Sequence, residues 1–286
     1  MSQSDFEQLQ PRAWSLPNGV QLHTVRAGNG TPLIFIHGAM GDWRSWAPQW
    51  PAFTAHFDCV SYSRRYSFPN HNPMPSPDHG ALHEAQDLLH LMDAMGLERA
   101  ILVGSSYGAF TALALAVQAP QRVQALVAVE PPMMKYAHHT PEGQAVAEAF
   151  RREVITPANA AFRAGEDERA AQIMTDGING GQSSVNSGVA MQRRLQNLRA
   201  MKMLALSSDE FPLLAPQQLA ALAMPVMLLS GRQTQPVHRA IFENVCAAMP
   251  QARHEVVDGA GHSVTREQPE VFNRLALDFL NAHPGA

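Results

Sequence analysis

Short runs of unbroken apolar residues recur along this chain, and amphipathic stretches separate them. Leu33-Ile34-Phe35-Ile36, Ala100-Ile101-Leu102-Val103, Ala125-Leu126-Val127-Ala128-Val129 and Val226-Met227-Leu228-Leu229 are the clearest. Continuous rather than alternating apolarity marks strands buried on both faces, as in a parallel sheet sandwiched by helices. We read strands near residues 20–25, 32–37, 57–62, 99–103, 124–129, 225–230 and 253–258, and helices near 80–96, 107–118, 237–248 and 267–281. Asn18-Gly19, between Trp14-Ser15-Leu16 and Val20-Gln21-Leu22, predicts an opening hairpin turn. Trp43, Trp46 and Trp50, spaced by three and four, predict one packed helical face.

The stretch between the strands at 124–129 and 225–230 is too long for one crossover helix. Residues 135–218 therefore read as a helical lid insertion, with residues 1–134 and 219–286 forming the core. Helical patterns run through Ala145–Phe150, Ala170–Met174 and Met191–Leu206, and residues 177–184, rich in glycine and serine, read as a flexible joint. Met174, Met191, Met201 and Met203 read as packing residues that can also line an adaptable apolar pocket.

Composition narrows the classes. An apolar content of 45% is ample for a core in 286 residues. A net charge of −4 offers no basic surface for nucleic acid or an anionic membrane. The opening residues lack the basic and apolar segments of a secretory signal, and no apolar run reaches the ~18 residues of a membrane span. Cys59 and Cys246 read as isolated buried thiols in a reducing cytoplasm, with a disulfide as the unsupported alternative.

The candidate chemistry sits in loops that follow strands. Gly104-Ser105-Ser106-Tyr107-Gly108 is a G-x-S-x-G turn between an apolar strand and a helical run. A turn that tight needs nearly bare positions on either side of the serine, and it leaves the Ser106 hydroxyl exposed as a nucleophile. The strand at 32–37 ends in His37-Gly38-Ala39-Met40-Gly41, and the strand at 253–258 ends in Asp258-Gly259-Ala260-Gly261-His262. In that order the three motifs resemble those of the α/β-hydrolase fold, and the likeness covers about residues 15 to 282. Ser61-Tyr62-Ser63-Arg64-Arg65-Tyr66 and Glu130-Pro131-Pro132 resemble a bacterial subgroup of largely unassigned substrate.

The resemblance implies an α/β fold: a mostly parallel sheet, flanking helices and a helical lid. It also implies roles. Ser106 attacks a carbonyl, His262 is the general base, and backbone N–H groups of Tyr107 and Ala39, with Met40 the next choice, hold the oxyanion. The side chains of Tyr107 and Ala39 are then free to be tuned to substrate. His37 is expected to brace its loop.

The chain departs from the family at the third triad position. Gly231-Arg232-Gln233-Thr234 puts Thr234 where the acid is usual. Glu130 ends the strand next after that of the nucleophile, and certain haloalkane dehalogenases and zearalenone-type lactonases carry their acid there. We therefore assign Glu130, with Asp258 as the rival. A strand-end carboxylate paired with Arg232 or Arg64 is the bland alternative. His79 and His83 stand at i, i+4 beside Glu84, a spacing that metals can use, but the sequence places no third ligand, so no metal or other cofactor is expected. Arg64-Arg65-Tyr66 reads as an ion-pairing loop. The implied activity is hydrolysis of a small, mainly apolar ester or lactone. Carbon–carbon bond hydrolysis, cofactor-free oxygenation and non-catalytic small-molecule reception stay open on the same fold.

Overall fold

The structure, a computed structural model, describes residues 6, 8–74, 76, 78–181 and 188–284. Most of the opening stretch read for a signal and residues 182–184 of the expected joint lie outside the described residues. Among the described residues the strands are β1 (Arg12–Ser15), β2 (Gln21–Ala27), β3 (Pro32–Ile36), β4 (Asp58–Tyr62), β5 (Ala100–Ser105), β6 (Val123–Val129), β7 (Val226–Gly231) and β8 (Arg253–Val257). They form one sheet in the order β1-β2-β4-β3-β5-β6-β7-β8. The hairpin β1–β2 and the β2–β4 pair are antiparallel, and every later pair is parallel.

Unbroken apolarity has the expected physical cause. Ile34, Ile36, Val60, Leu102, Leu126, Ala128 and Leu228 face one buried cluster, under helices Ala81–Ala94, Tyr107–Gln118 and Pro236–Ala248. Their neighbours Leu33, Phe35, Cys59, Ile101, Val103, Val127, Met227 and Leu229 face the other, under Pro269–Asn281 and the tryptophan segment. Adjacent side chains point to opposite faces, so a strand covered on both sides must be apolar throughout. Trp43 and Trp46 lie in a 3-10 turn and Trp50 opens a separate short helix. All three are nonetheless buried together around Phe6 and Phe35.

Among the described residues, the elements between β6 and β7 are helical and include Pro141–Phe150, a π turn at Arg151–Ile155, then Thr156–Ala164, Asp167–Asn179, Gly188–Gln196, Leu198–Ala205 and Pro216–Ala220. Val154, Ala158, Phe162, Ala170, Met174 and Met201 form their own buried cluster, and Ala39 and Met40 pack against it. Two local expectations are revised. Gly177–Asn179 complete a helix rather than open a joint. The run from Met191 to Leu206 is broken at Asn197, because that side chain serves tertiary contacts: its amide donates to Asp42 Oδ2 at 2.8 Å and its oxygen accepts from Phe68 N at 2.8 Å. Among the described residues no helix is long and apolar enough to cross a membrane, and both cysteines are free.

Candidate active site

Ser106 stands where β5 turns into helix Tyr107–Gln118, at φ 54° and ψ −124°. Its amide donates to Val129 O at 2.7 Å, which ties the turn to the end of β6. A Cβ at position 108 would fall 2.1 Å from Ile36 O. Only glycine lets the helix sit directly on the end of β3, and that seating lifts Ser106 clear of the sheet.

His262 follows β8 on a short loop. Its Nε2 lies 2.9 Å from Ser106 Oγ, and its Nδ1 lies 2.6 Å from Glu130 Oε2. A carboxylate only accepts, so Nδ1 carries the proton and Nε2 is left to accept from the serine hydroxyl. Glu130 is the residue after β6, at φ 46°. Its Oε1 accepts from Ser230 Oγ at 2.7 Å and from Gly231 N at 2.9 Å, and its Oε2 also accepts from Thr234 Oγ1 at 2.7 Å. Thr234 therefore donates to a carboxylate that arrives from the neighbouring strand. Burial would raise the Glu130 pKa, but the hydrogen bond and charge of His262, with the Ser230 bond, outweigh it and hold the carboxyl below its usual range. Asp258 is exposed and ion-paired with Arg232, so neither is a partner of Glu130 or His262.

His238 was not singled out by the sequence. Its ring lies 4.3 Å from that of His262, centroid to centroid, and 5.8 Å from that of Phe150 in an edge-on contact. Burial, then the charge of His262, pulls its pKa down to about 3, so it is neutral. Glu130, His238 and His262 hold ligand-type atoms within 4.8 Å of one another. Two of the three are already joined by the 2.6 Å bond, which a metal would have to break. The His79–Glu84 pattern belongs to a different network: Glu84 bonds His79 at 3.0 Å and Arg64 at 2.5 Å, all of it buried.

The loop after β3 is held from behind. His37 Nδ1–H donates to Gly38 O at 2.8 Å and its Nε2 accepts from Arg64 N at 3.0 Å. Burial, with Arg64 next, brings its pKa to about 3 and keeps it neutral for both bonds. Arg64 Nη2 donates to Gly38 O at 3.0 Å and Ala39 O at 3.2 Å, turning those carbonyls toward itself. Arg65 pairs with Asp87. Tyr107 opens a helix, so its amide has no acceptor within that helix. Its side chain corrects one expectation: it is buried, stacks edge-on against Phe110 and Phe211, and donates to Glu210 O at 2.7 Å, so it is not available to substrate. Ala39 does line the cavity.

That cavity, about 150 Å³, opens beside Ser106 and His262. Met40, Trp46, Ile178 and Met201 supply apolar wall, but Arg44, Arg193, Arg194 and Arg266 line it as well. The lining is mixed, not mainly apolar. Sequence reading had no means of placing His238. The Arg193-Arg194 doublet is visible in the sequence, but its place beside Ser106 is set by the packing of its helix.

The sheet order and the strand–turn–helix at Ser106 define a class, and the sequence comparison agrees: residues 31–268 match the α/β hydrolase fold family, and the chain belongs to it. Its relatives are hydrolases. A carboxylesterase, YbfK of Bacillus subtilis (strain 168), is 26% identical over 274 residues, covering 90% of this chain and 83% of the relative. A 2-hydroxy-6-oxononadienedioate/2-hydroxy-6-oxononatrienedioate hydrolase of Paraburkholderia xenovorans (strain LB400) is 27% identical over 274 residues, covering 91% of each. Est816, an N-acyl homoserine lactone degrading enzyme, shares the fold with a TM-score of 0.73 at 18% identity, over 92% of this chain and 98% of that one.

Proposed function

We propose that this hydrolase cleaves a carboxylic ester or lactone of a small molecule through an acyl-enzyme on Ser106. The observation that carries the reading is the unbroken series of hydrogen bonds from Ser106 through His262 to Glu130. In this reading Ser106 Oγ attacks the carbonyl as His262 Nε2 takes its proton. The amides of Tyr107 and Ala39 hold the oxyanion, each typically worth ~3 kcal/mol in the transition state. His262 then protonates the departing alkoxide, activates water against the acyl-enzyme, and returns the proton to Ser106. Glu130 keeps the imidazole in the required tautomer and offsets its charge. No step calls on a cofactor. Its acid placement after β6 resembles that of zearalenone-type lactonases, and residues 135–218 act as a cap over the cavity. The two free thiols suit the cytoplasm.

Carbon–carbon bond hydrolysis would use the same residues, and the likeness to the Paraburkholderia enzyme is what favours it. A fluorophosphonate probe followed by peptide mapping tests the nucleophile. The adduct is expected on Ser106 and not on Ser105, and Ser106→Ala should lower kcat on a responsive ester by several orders of magnitude. An adduct on Ser105, or none on folded protein, removes the assignment.

A further inference from the structure

His262 is held by two hydrogen bonds, from Nδ1 to Glu130 at 2.6 Å and at Nε2 to Ser106 at 2.9 Å. An imidazole nitrogen bonds in the plane of its ring. The two bonds therefore fix where the ring sits but not its tilt about the line joining its partners. The chain beside it is tied separately: Ser263 Oγ donates to Asn179 Oδ1 at 2.7 Å. The tilt is left to what packs on the face of the ring.

His238 packs there. It is the third residue of helix Pro236–Ala248 and is buried, and its ring centroid lies 4.3 Å from that of His262 with the planes 31° apart. Rings so near and so close to parallel have no room to lie side by side, so they overlap face to face. Among the described residues His238 Nε2 has no hydrogen-bond partner, so the ring meets His262 with its face and not through that nitrogen. Being neutral, it brings no charge against the imidazolium as that forms. Phe150, the last residue of helix Pro141–Phe150, touches the same ring edge-on at 5.8 Å. A line of ring contacts thus runs from the helical segment between β6 and β7 to the candidate base.

The need for that support changes through the proposed cycle. During acylation Ser106 and Glu130 grip the imidazole at both nitrogens. Once Ser106 Oγ carries the acyl group it has no proton to donate, and the bond to Glu130 is the one left. Deacylation runs in that state. The water oxygen bonds the acyl carbon and its proton passes to His262 Nε2. The bond from carbon to Oγ then breaks as that proton returns to Ser106, and the acid leaves. A ring gripped at one nitrogen can turn out of line in this half of the cycle, and a small misplacement there is costly.

We propose that His238 is a positioning residue that holds the His262 ring during deacylation, with Phe150 bracing it. This rests on the acyl-enzyme reading and adds a residue to it.

The test is stopped-flow and steady-state hydrolysis of p-nitrophenyl butyrate by wild type, His238→Ala, His238→Phe and Phe150→Ala, with proton NMR of the His262 Nδ1–H. His238→Ala should release a stoichiometric burst of p-nitrophenolate and then turn over about 10²-fold more slowly than wild type. KM should fall with kcat and leave kcat/KM within about threefold, because acylation keeps both grips. His238→Phe puts a flat ring back and should recover most of kcat. Phe150→Ala should lower kcat about fivefold in the same pattern, and it decides the matter if His238→Ala does not fold. The downfield Nδ1 proton should broaden in His238→Ala and stay sharp in His238→Phe. Unchanged kcat in the alanine variants, an equal loss in kcat and kcat/KM, or His238→Phe as slow as His238→Ala overturns the positioning role and leaves the hydrolase reading standing. An Nδ1 proton that depends on His238, with neither burst nor turnover in wild type, overturns the acyl-enzyme reading and leaves His238 holding the ring.

Discussion

Ser106 and Glu130 are, among the described residues, the two non-glycine positions with positive φ, at 54° and 46°. Such backbone costs on the order of 1–3 kcal/mol at each position and persists only where the surroundings overdetermine it. Here Ser106 N is held by Val129 O, and Glu130 N by Leu229 O. The strain aims both side chains at His262. The carboxylate's other partners, Ser230, Thr234 and the Gly231 amide, leave it one productive orientation. Glu130→Gln keeps the shape but loses the charge that holds the imidazole tautomer. It should lower kcat by up to ~10⁴-fold with KM little changed, while Asp258→Asn leaves kcat near wild type. Thr234→Asp in the Glu130→Gln background should recover part of the loss, because position 234 already reaches the same imidazole partner. Steady-state kinetics on the three variants decide it; near-normal kcat in Glu130→Gln would end the assignment.

At the scale of elements, the loop bearing Ala39 owes its shape to a buried arginine. Arg64 is 1% exposed and is shared between Glu84 and the carbonyls of Gly38 and Ala39. In the proposed mechanism it positions that loop. Arg64→Met removes the arginine partner of the buried Glu84 and leaves it only His79, which should destabilise the fold by about 3–5 kcal/mol. Adding Glu84→Leu should restore much of that stability without restoring kcat, since the two carbonyls still lack their donor. Urea denaturation and kinetics on the single and double variants separate the two effects. Recovery of kcat in the double variant would show that Arg64 serves stability alone. The Ser-Arg-Arg motif was legible as an ion-pairing loop. Its hold on the loop after β3 was not, since Arg64 and Gly38 meet only when β3 and β4 pair in register.

The whole molecule carries a pH signature. His37 and His238 are both held at about 3 by burial, then by Arg64 and His262 respectively, against an ordinary 6.5. Between those values the unfolded chain binds protons that the folded chain refuses, so stability is full above pH 6.5 and is lost as pH falls toward 3. Glu84, brought to about 2 because Arg64 and His79 outweigh its burial, extends the loss below pH 4.5. His238→Phe should flatten the slope of unfolding free energy by up to ~1.4 kcal/mol per pH unit between pH 3 and 6.5. Urea titrations at three pH values check this, and an unchanged slope would mean that His238 is protonated in the folded state.

The fold class and the positions of the motif loops were determined by the sequence itself, because continuous apolarity and glycine-flanked turns are properties of neighbouring residues. The break at Asn197 escaped it, since a bond to Asp42, 155 residues away, overrides a helical pattern. Glu130 could be singled out by its strand end and a family likeness. That it meets His262, 132 residues on, depends on β6 lying between β5 and β7. The contact of His238 with His262 and the gathering of Arg44, Arg193, Arg194 and Arg266 around the cavity were decided by tertiary structure alone. Their chemistry arises from proximity across elements, and burial, which sets their charge, exists only once the layers have packed.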